Sequence, residues 1–295
     1  MEPTAPDKRR LALVRYVEEL ETLSAPAPLD GPPFPYDVCP LVKEVAWRTP
    51  SFVAEPLVEG ELRELTNTLN EWRGALRRWY AWLAVLEGFS DDDAWDLQWE
   101  FVESIAFQCL FYPSATRDRF TFVATNTLHQ VRMAADATYD DRLASDPKPG
   151  KEDKLRFLPR KETEAQLEAI SDALDGGAAF TAGLWSIDEN DYLAKTSNFR
   201  NLASHAIAPR LTVGHTNVVV RRVVPATKMM QQPDGTYKDE QIPGKQHVSY
   251  GFGGTDPLQM RAVFAANLAE FEKAAACFRS YVDVLNEALA KLPKS

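Results

Sequence analysis

The chain is short of several residue types, and each shortage removes a class of function. Its 295 residues contain three cysteines, Cys39, Cys109 and Cys277, which lie far apart and show neither CxxC nor Cys/His spacing. That argues against a disulfide framework and against a zinc site. Cys109 and Cys277 stand among apolar helical neighbours and are expected in the core. Histidine is equally scarce at four residues. His129, beside Gln130, has nothing at metal-ligand spacing near it and reads as a satisfied or surface residue. No metal and no cofactor is expected. No apolar run approaches the ~20 residues that span a bilayer, and Met1 to Ser24 has scattered charges where a secretory signal has an unbroken apolar core. The expectation is a soluble globular protein of the cytoplasm with no membrane partner.

The most local shortage is of acid. From Tyr192 to Pro233 there is no Asp or Glu, while Lys195, Arg200, Arg210, Arg221, Arg222 and Lys228 contribute +6. The whole chain is at −10, so the other 253 residues carry −16. An acidic body argues against avid, non-specific nucleic-acid binding. A single-signed basic stretch upon it is what holding an anion at one place requires.

What the chain has in quantity is helical periodicity. Hydrophobic residues make up 45% and aromatics 11%, enough for a substantial core. A first helix is expected over about Asp7 to Leu23, with Leu11, Val14, Val17 and Leu20 as its apolar rhythm. Between Ser24 and Gly60 there are eight prolines, each removing a backbone donor and disfavouring helix before it. Phe34, Trp47 and Phe52 suggest that this segment wraps over the body, so residues 1–60 read as an extension and 61–295 as the main domain.

From Glu61, Leu62, Leu65, Leu69, Trp72, Leu76, Trp79, Leu83 and Leu86 step by three and four, a heptad seam on a helix of about 28 residues. Ser90 caps a second helix bearing Trp95, Trp99, Val102, Ala106 and Leu110. Tryptophans 72, 79, 82, 95 and 99 at helical spacing read as core packing and not as a cofactor box. A third helix is expected over Ser114 to Leu143 with Phe120, Val123, Leu128, Val131 and Ala135 inward. Ser145 to Lys154 reads as an exposed, mobile loop. Helices follow at about Thr163 to Leu174 and Asp188 to Ile207. After Pro209 the period changes to two, with a β-branched run at 218–224, turn chemistry at Pro233-Asp234-Gly235 and alternation to Phe252, which predicts a β-hairpin at about 211–252. Asp256 and Pro257 should cap and open the last helix. Its seam, from Phe264 to Leu292, matches the first, and two such seams call for a bundle, most simply antiparallel.

The predicted helix Asp188–Ile207 carries the densest polar chemistry. With about 100° per residue, Tyr192, Phe199, Ala203 and Ala206 form its buried stripe, while Arg200 and His205 border an arc holding Asn198, Asn201, Ser197 and Ser204. Last-turn cations also complement a helix dipole, so dipole partners facing water are the bland alternative. Arg210 and His215 repeat the spacing across a helix-to-strand passage, as coincidence or as phosphate-side helpers.

Arg200-Asn201-Leu202-Ala203-Ser204-His205 resembles the R-x(4–6)-H signature, with a polar residue after the Arg, of the HEPN superfamily of small helical proteins. Many of these are metal-independent ribonucleases of bacterial toxin-antitoxin and anti-phage systems. The resemblance covers six residues and the helical context; the chain is longer than a minimal member, and the hairpin and Pro-rich segment have no place in the family pattern. It implies an all-α, HEPN-like bundle with a β-hairpin insertion, acting as a homodimer on RNA, with an antitoxin or regulatory protein as partner. Arg200 and His205 would meet across the two-fold, His205 moving a proton, Arg200 stabilising charge on phosphate and Asn201 orienting the ring. Arg210, Arg221, Arg222 and Lys195 would hold RNA phosphates. The alternative is a non-catalytic HEPN-like module that binds a nucleotide, RNA or a protein.

Overall fold

The computed structural model describes residues 4–22, 24–49, 51–139, 142, 143, 146 and 158–295, with the side chains of Ser51 and Phe52 excepted. The expected loop Ser145–Lys154 lies outside them save for Asp146, and so does the Phe52 side chain. The elements are α1 (Ala5–Thr22), α2 (Ala27–Asp30), a 3-10 turn (Pro40–Lys43), α3 (Ser51–Leu86), α4 (Asp91–Leu97), a π segment (Gln98–Val102), α5 (Glu103–Ala135), α6 (Arg160–Ser171), α7 (Gly177–Trp185), α8 (Asn190–Lys195), α9 (Phe199–Ser204), β1 (Thr216–Gln231), β2 (Tyr237–Thr255) and α10 (Met260–Ala290). The fold is mostly helical, with a two-stranded antiparallel hairpin before the last helix. Two compact units divide the chain, Met1–Thr196 with Arg261–Ser295, and Ser197–Met260. The boundary expected near residue 60 falls inside α3.

The first unit is a bundle built on α3, α5 and α10. Trp79 meets Phe264 edge-on at 5.4 Å between ring centres, and Trp72 meets Phe271 at 5.3 Å, so α3 and α10 run antiparallel as their seams predict. Trp72 stacks on Tyr112 and Arg119 pairs with Glu64, which sets α5 antiparallel to α3. Leu65, Leu69, Trp72, Leu76 and Trp79 are wholly buried, as are Phe120, Phe271 and Tyr281. Cys39, Cys109 and Cys277 are buried free thiols, and burial pushes the Cys39 thiol up to about 12. The Pro-rich segment does wrap the body. Phe34 packs edge-on against Phe278 at 5.2 Å, its N–H donates to Asn70, and Arg73 and Arg77 donate to the Leu29 carbonyl.

Several expectations change. Helix α3 begins ten residues early despite Pro56, because Ala54 and Val58 extend the buried seam. The second and third expected helices are one rod from Asp91 to Ala135, broken only in pitch by the π segment, and Pro113 lies inside it. Proline removes the N–H that would bond the carbonyl four residues back, here that of Cys109. Asn267 Nδ2 donates to that carbonyl at 2.7 Å and so replaces the missing partner. Helix α7 was not foreseen. Trp72, Trp79 and Trp82 are core residues, whereas Trp95 and Trp99 are exposed and stack on each other, 6.4 Å apart. On α1 the buried residue is Ala12, and Leu11, Val14 and Val17 are exposed.

In the second unit β1 and β2 pair continuously from Thr216↔Thr255 to Pro225↔Gln246 and, past a bulge, from Thr227↔Gln241 to Gln231↔Tyr237. The turn closes through Gly235 N–H to the Gln232 carbonyl at 3.0 Å, with Thr236 N–H and Oγ1 both donating to Asp234. Those bonds hold the Asp234 carboxyl below its usual range. Gly235 has φ +86°, which a side chain would strain. At the ribbon's base Leu211 bridges Leu258, and Leu258 N–H donates to the Arg210 carbonyl. That pairing holds 257–258 extended, so α10 starts at Met260 and not at Pro257.

Candidate nucleic-acid interface

The helix expected over Asp188 to Ile207 is not continuous. Asp188, Ser197, Asn198 and Ala206 all have positive φ, which confines helix to α8 and α9, six residues each. The cause is the run Thr196-Ser197-Asn198. Thr196 Oγ1 donates to the Tyr192 carbonyl at 2.8 Å, offering the backbone a local partner, and Asn tolerates the left-handed region better than most residues. Tyr192 and Phe199 are buried as predicted, but Ala206 is exposed. The helical wheel therefore holds only from Phe199 to Ser204, and His205 is the residue that ends α9.

Within that turn and a half the motif residues stay together. Arg200, Asn201, Ser204 and His205 are all exposed. Ser204 Oγ donates to the Asn201 carbonyl at 2.7 Å, while the side chains of Arg200, Asn201 and His205 make no hydrogen bond or ion pair with any described residue, His205 bonding through its backbone N–H to the Leu202 carbonyl. Asn201 does not orient the imidazole in this conformation. Lys195 differs from the other predicted phosphate contacts, because it pairs with Asp191 at 2.7 Å and belongs to the helical unit. Its charge is already offset.

Arg221 and Arg222 are separated by the strand's alternation. Arg221 lies opposite Tyr250 and Arg222 opposite Ser249, so they occupy opposite faces. Neither has a carboxylate partner among the described residues, and the Arg210 side chain is likewise free of ion pairs, its Cγ lying 3.4 Å from where a Cβ on Gly214 would stand. The unit Ser197–Met260 carries seven Lys and Arg against four Asp and Glu, a net of +3, which leaves −13 on the rest. Three of the chain's four histidines, His205, His215 and His247, fall within it.

Sequence reasoning attached no role to the aromatic face of the ribbon. Val219↔Phe252, Arg221↔Tyr250 and Val223↔Val248 share one face, and the two apolar pairs that flank Arg221 are exposed, as is Tyr250 opposite it. On the other face, Val218 and Val220 pair with Gly253 and Gly251, and Val220 leans over Gly253, where a Cβ would come within 2.4 Å of its Cγ2. A Cβ on Gly254 would come within 1.9 Å of His215 Nε2, so the imidazole occupies the place of a side chain on the aromatic face, two residues from Phe252. His215 Nδ1 stands 3.7 Å from Asp256. The signal was in the sequence as Tyr250-Gly251-Phe252-Gly253, large residues alternating with glycine.

A cleft of about 700 Å³ lies in the helical unit, walled by Arg117, Glu164, Glu168, Trp185 and Glu189. None of the predicted site residues lines it, and its carboxylates repel phosphate. Among the described residues no helix is long and apolar enough to cross a membrane, and no cluster of three or more His, Cys, Asp or Glu is placed to hold a metal ion. No protein-family model, curated protein or solved structure matches the chain.

Proposed function

We propose that the chain is a metal-independent endoribonuclease of the HEPN type, with Arg200 and His205 of two copies making up its site. The observation behind this reading is that Arg200 and His205 are exposed and without a counter-charge among the described residues, on a unit of net +3 within an acidic protein. An imidazole accepts a proton near neutral pH, here from the ribose 2′-hydroxyl. The freed oxygen attacks the adjacent phosphorus, a 2′,3′-cyclic phosphate forms as the P–O5′ bond breaks, and the 5′-oxygen leaves with the proton that the imidazolium gives back. A guanidinium offers paired donors to the phosphate oxygens and stays charged throughout. Arg210 and one of Arg221 and Arg222, which point to opposite faces of β1, hold neighbouring phosphates. The setting implied by the resemblance is that of a toxin or anti-phage effector held by an antitoxin protein in the cytoplasm.

The second reading, a non-catalytic RNA- or nucleotide-binding module, draws on His205 itself. Its ring sits past the last turn of a six-residue helix with no described side chain to orient it. Single-turnover cleavage and equilibrium binding of a labelled RNA, both with EDTA present, decide between them. His205→Ala should lose about 10²- to 10⁴-fold in cleavage rate with affinity nearly intact, because a general base acts on the transition state. A wild type that binds RNA without cutting it establishes the module. Cleavage that EDTA abolishes removes the metal-free mechanism.

A further inference from the structure

We infer that the ribbon face bearing His215, Phe252, Tyr250 and Arg221 is a platform for single-stranded RNA, on which bases stack on the two rings while Arg221 holds the phosphate between them. An isolated two-stranded hairpin is marginal in water and normally hides its apolar face. Here the two faces differ. Gly253 lets Val220 fold across one of them, where Val218 and Val220 are half-buried, and the other leaves Phe252 at 99% and Tyr250 at 68% exposure. Because Tyr250 and Phe252 are two residues apart on one strand, their rings project from points about 7 Å apart on the same side. That arrangement presents two ring faces in succession to an extended strand, which is how aromatic side chains on a sheet take up unstacked bases.

Charge selects the occupant. Arg221 stands opposite Tyr250 in the middle of this face, exposed and without an acidic partner among the described residues. A second copy packed face to face would bring this guanidinium into an apolar interface opposite its own equivalent, and burying a charge without a partner is costly. A polyanion with π faces satisfies both the ring and the cation. Duplex RNA offers its phosphates but keeps its base faces inside the stack, so the single strand fits and the duplex does not. His215, standing beside Phe252 in the place of the side chain Gly254 lacks, extends the platform at its base. The inference rests on the RNA reading above for the class of ligand, and assigns its form and the surface that receives it.

Fluorescence anisotropy with a labelled 12-nucleotide RNA of mixed sequence, single-stranded or annealed to its complement, provides the test. Base–aromatic stacking removed by alanine typically weakens binding about 5- to 150-fold per base. Tyr250→Ala and Phe252→Ala should each fall in that range for the single strand, with much less effect on the duplex. Phe252→Trp should restore the affinity, and Arg221→Ala should lower the slope of log affinity against log salt by roughly one. Trp99→Ala, an exposed ring outside the ribbon, should change nothing. Because Phe252 and Tyr250 are exposed, melting temperatures should hold, which separates lost stacking from lost folding. Undiminished single-strand affinity in the Tyr250→Ala/Phe252→Ala double variant overturns the platform, as does equal binding of duplex. If that variant instead turns a dimer into a monomer with RNA affinity unchanged, the face joins two copies and the platform is overturned. Cleavage that needs His205 while the double variant binds normally sinks the platform alone; a wild type that neither binds nor cuts RNA sinks both readings.

Discussion

Asn267 shows how one residue can organise a bundle. It is fully buried on α10, accepts a hydrogen bond from Trp72 Nε1 at 2.8 Å, and donates to the Cys109 carbonyl at 2.7 Å and to Tyr192 Oη at 2.9 Å. Burial holds the Tyr192 phenol well above its ordinary value, so it stays neutral and completes the network by donating to the Leu110 carbonyl. Four helices, α3, α5, α8 and α10, are thus fastened by one amide whose capacity is matched at every contact. Replacing it by an apolar group of similar size leaves the buried Trp72 Nε1 and the Cys109 carbonyl without partners and takes one of two hydrogen bonds from Tyr192 Oη. Asn267→Leu should cost about 3 kcal/mol or more in urea unfolding. The network exists because Pro113 withholds a helical N–H from Cys109. Pro113→Ala supplies that donor, so Asn267→Leu should cost less in that background, with a coupling of about 1 kcal/mol in the double-mutant cycle. Additivity would show that the Cys109 carbonyl does not depend on Asn267.

At the scale of elements, α7 and the ribbon illustrate opposite uses of glycine. Gly176 adopts φ +76° where the chain reverses after α6, and a Cβ on Gly177 would lie 1.9 Å from the Ser171 carbonyl oxygen. That close approach lets α7 dock its buried Phe180 and Leu184. Gly183, in the body of the same helix, has nothing within 4 Å of its would-be Cβ. Gly177→Ala should therefore lower stability by about 2–3 kcal/mol through overpacking. Gly183→Ala should raise it by about 1 kcal/mol through helix propensity. The urea midpoints should move in opposite directions, and a common direction would contradict the packing described for α7. In the ribbon, by contrast, glycine serves to make a surface two-faced. Gly253 gives Val220 of one side somewhere to lie, and the aromatic side is left open.

For the whole molecule, charge separation between units is the feature that bears on function. With −13 on the helical unit and +3 on Ser197–Met260, the proposed binding of a polyanion has its one electrostatically favourable place on the second unit. A composite site also makes a prediction about assembly. If the Arg200 of one copy works with the His205 of another, then Arg200→Ala and His205→Ala proteins, each inactive, should complement on mixing. Random exchange within a two-fold dimer leaves one intact site in half of the dimers, or about one quarter of wild-type activity. Cleavage assays on the exchanged mixture measure it. No recovery despite demonstrated exchange would place each site within a single copy.

The heptad seams of α3 and α10, the hairpin and its turn, and the burial of Cys109 and Cys277 were legible from the sequence, because periodicity and turn chemistry act over a few neighbouring residues. Charge is legible in the same way, and the acid-free stretch was visible before any fold. What only the tertiary structure decided are matters of partnership at long range. Pro113 reads as a helix end until Asn267, 154 positions further on, is seen filling the bond it removes. Trp95 and Trp99 have the spacing of core residues but face outward, since helical period fixes which residues share a side and not which side is covered. The break at Thr196–Asn198 divided a wheel that spacing alone drew as whole, and His205 came to stand at a helix end. The ribbon's open aromatic face could not be told from a buried one by alternation, which is identical for both; strand register and the contacts of Gly253 and Gly254 separated them.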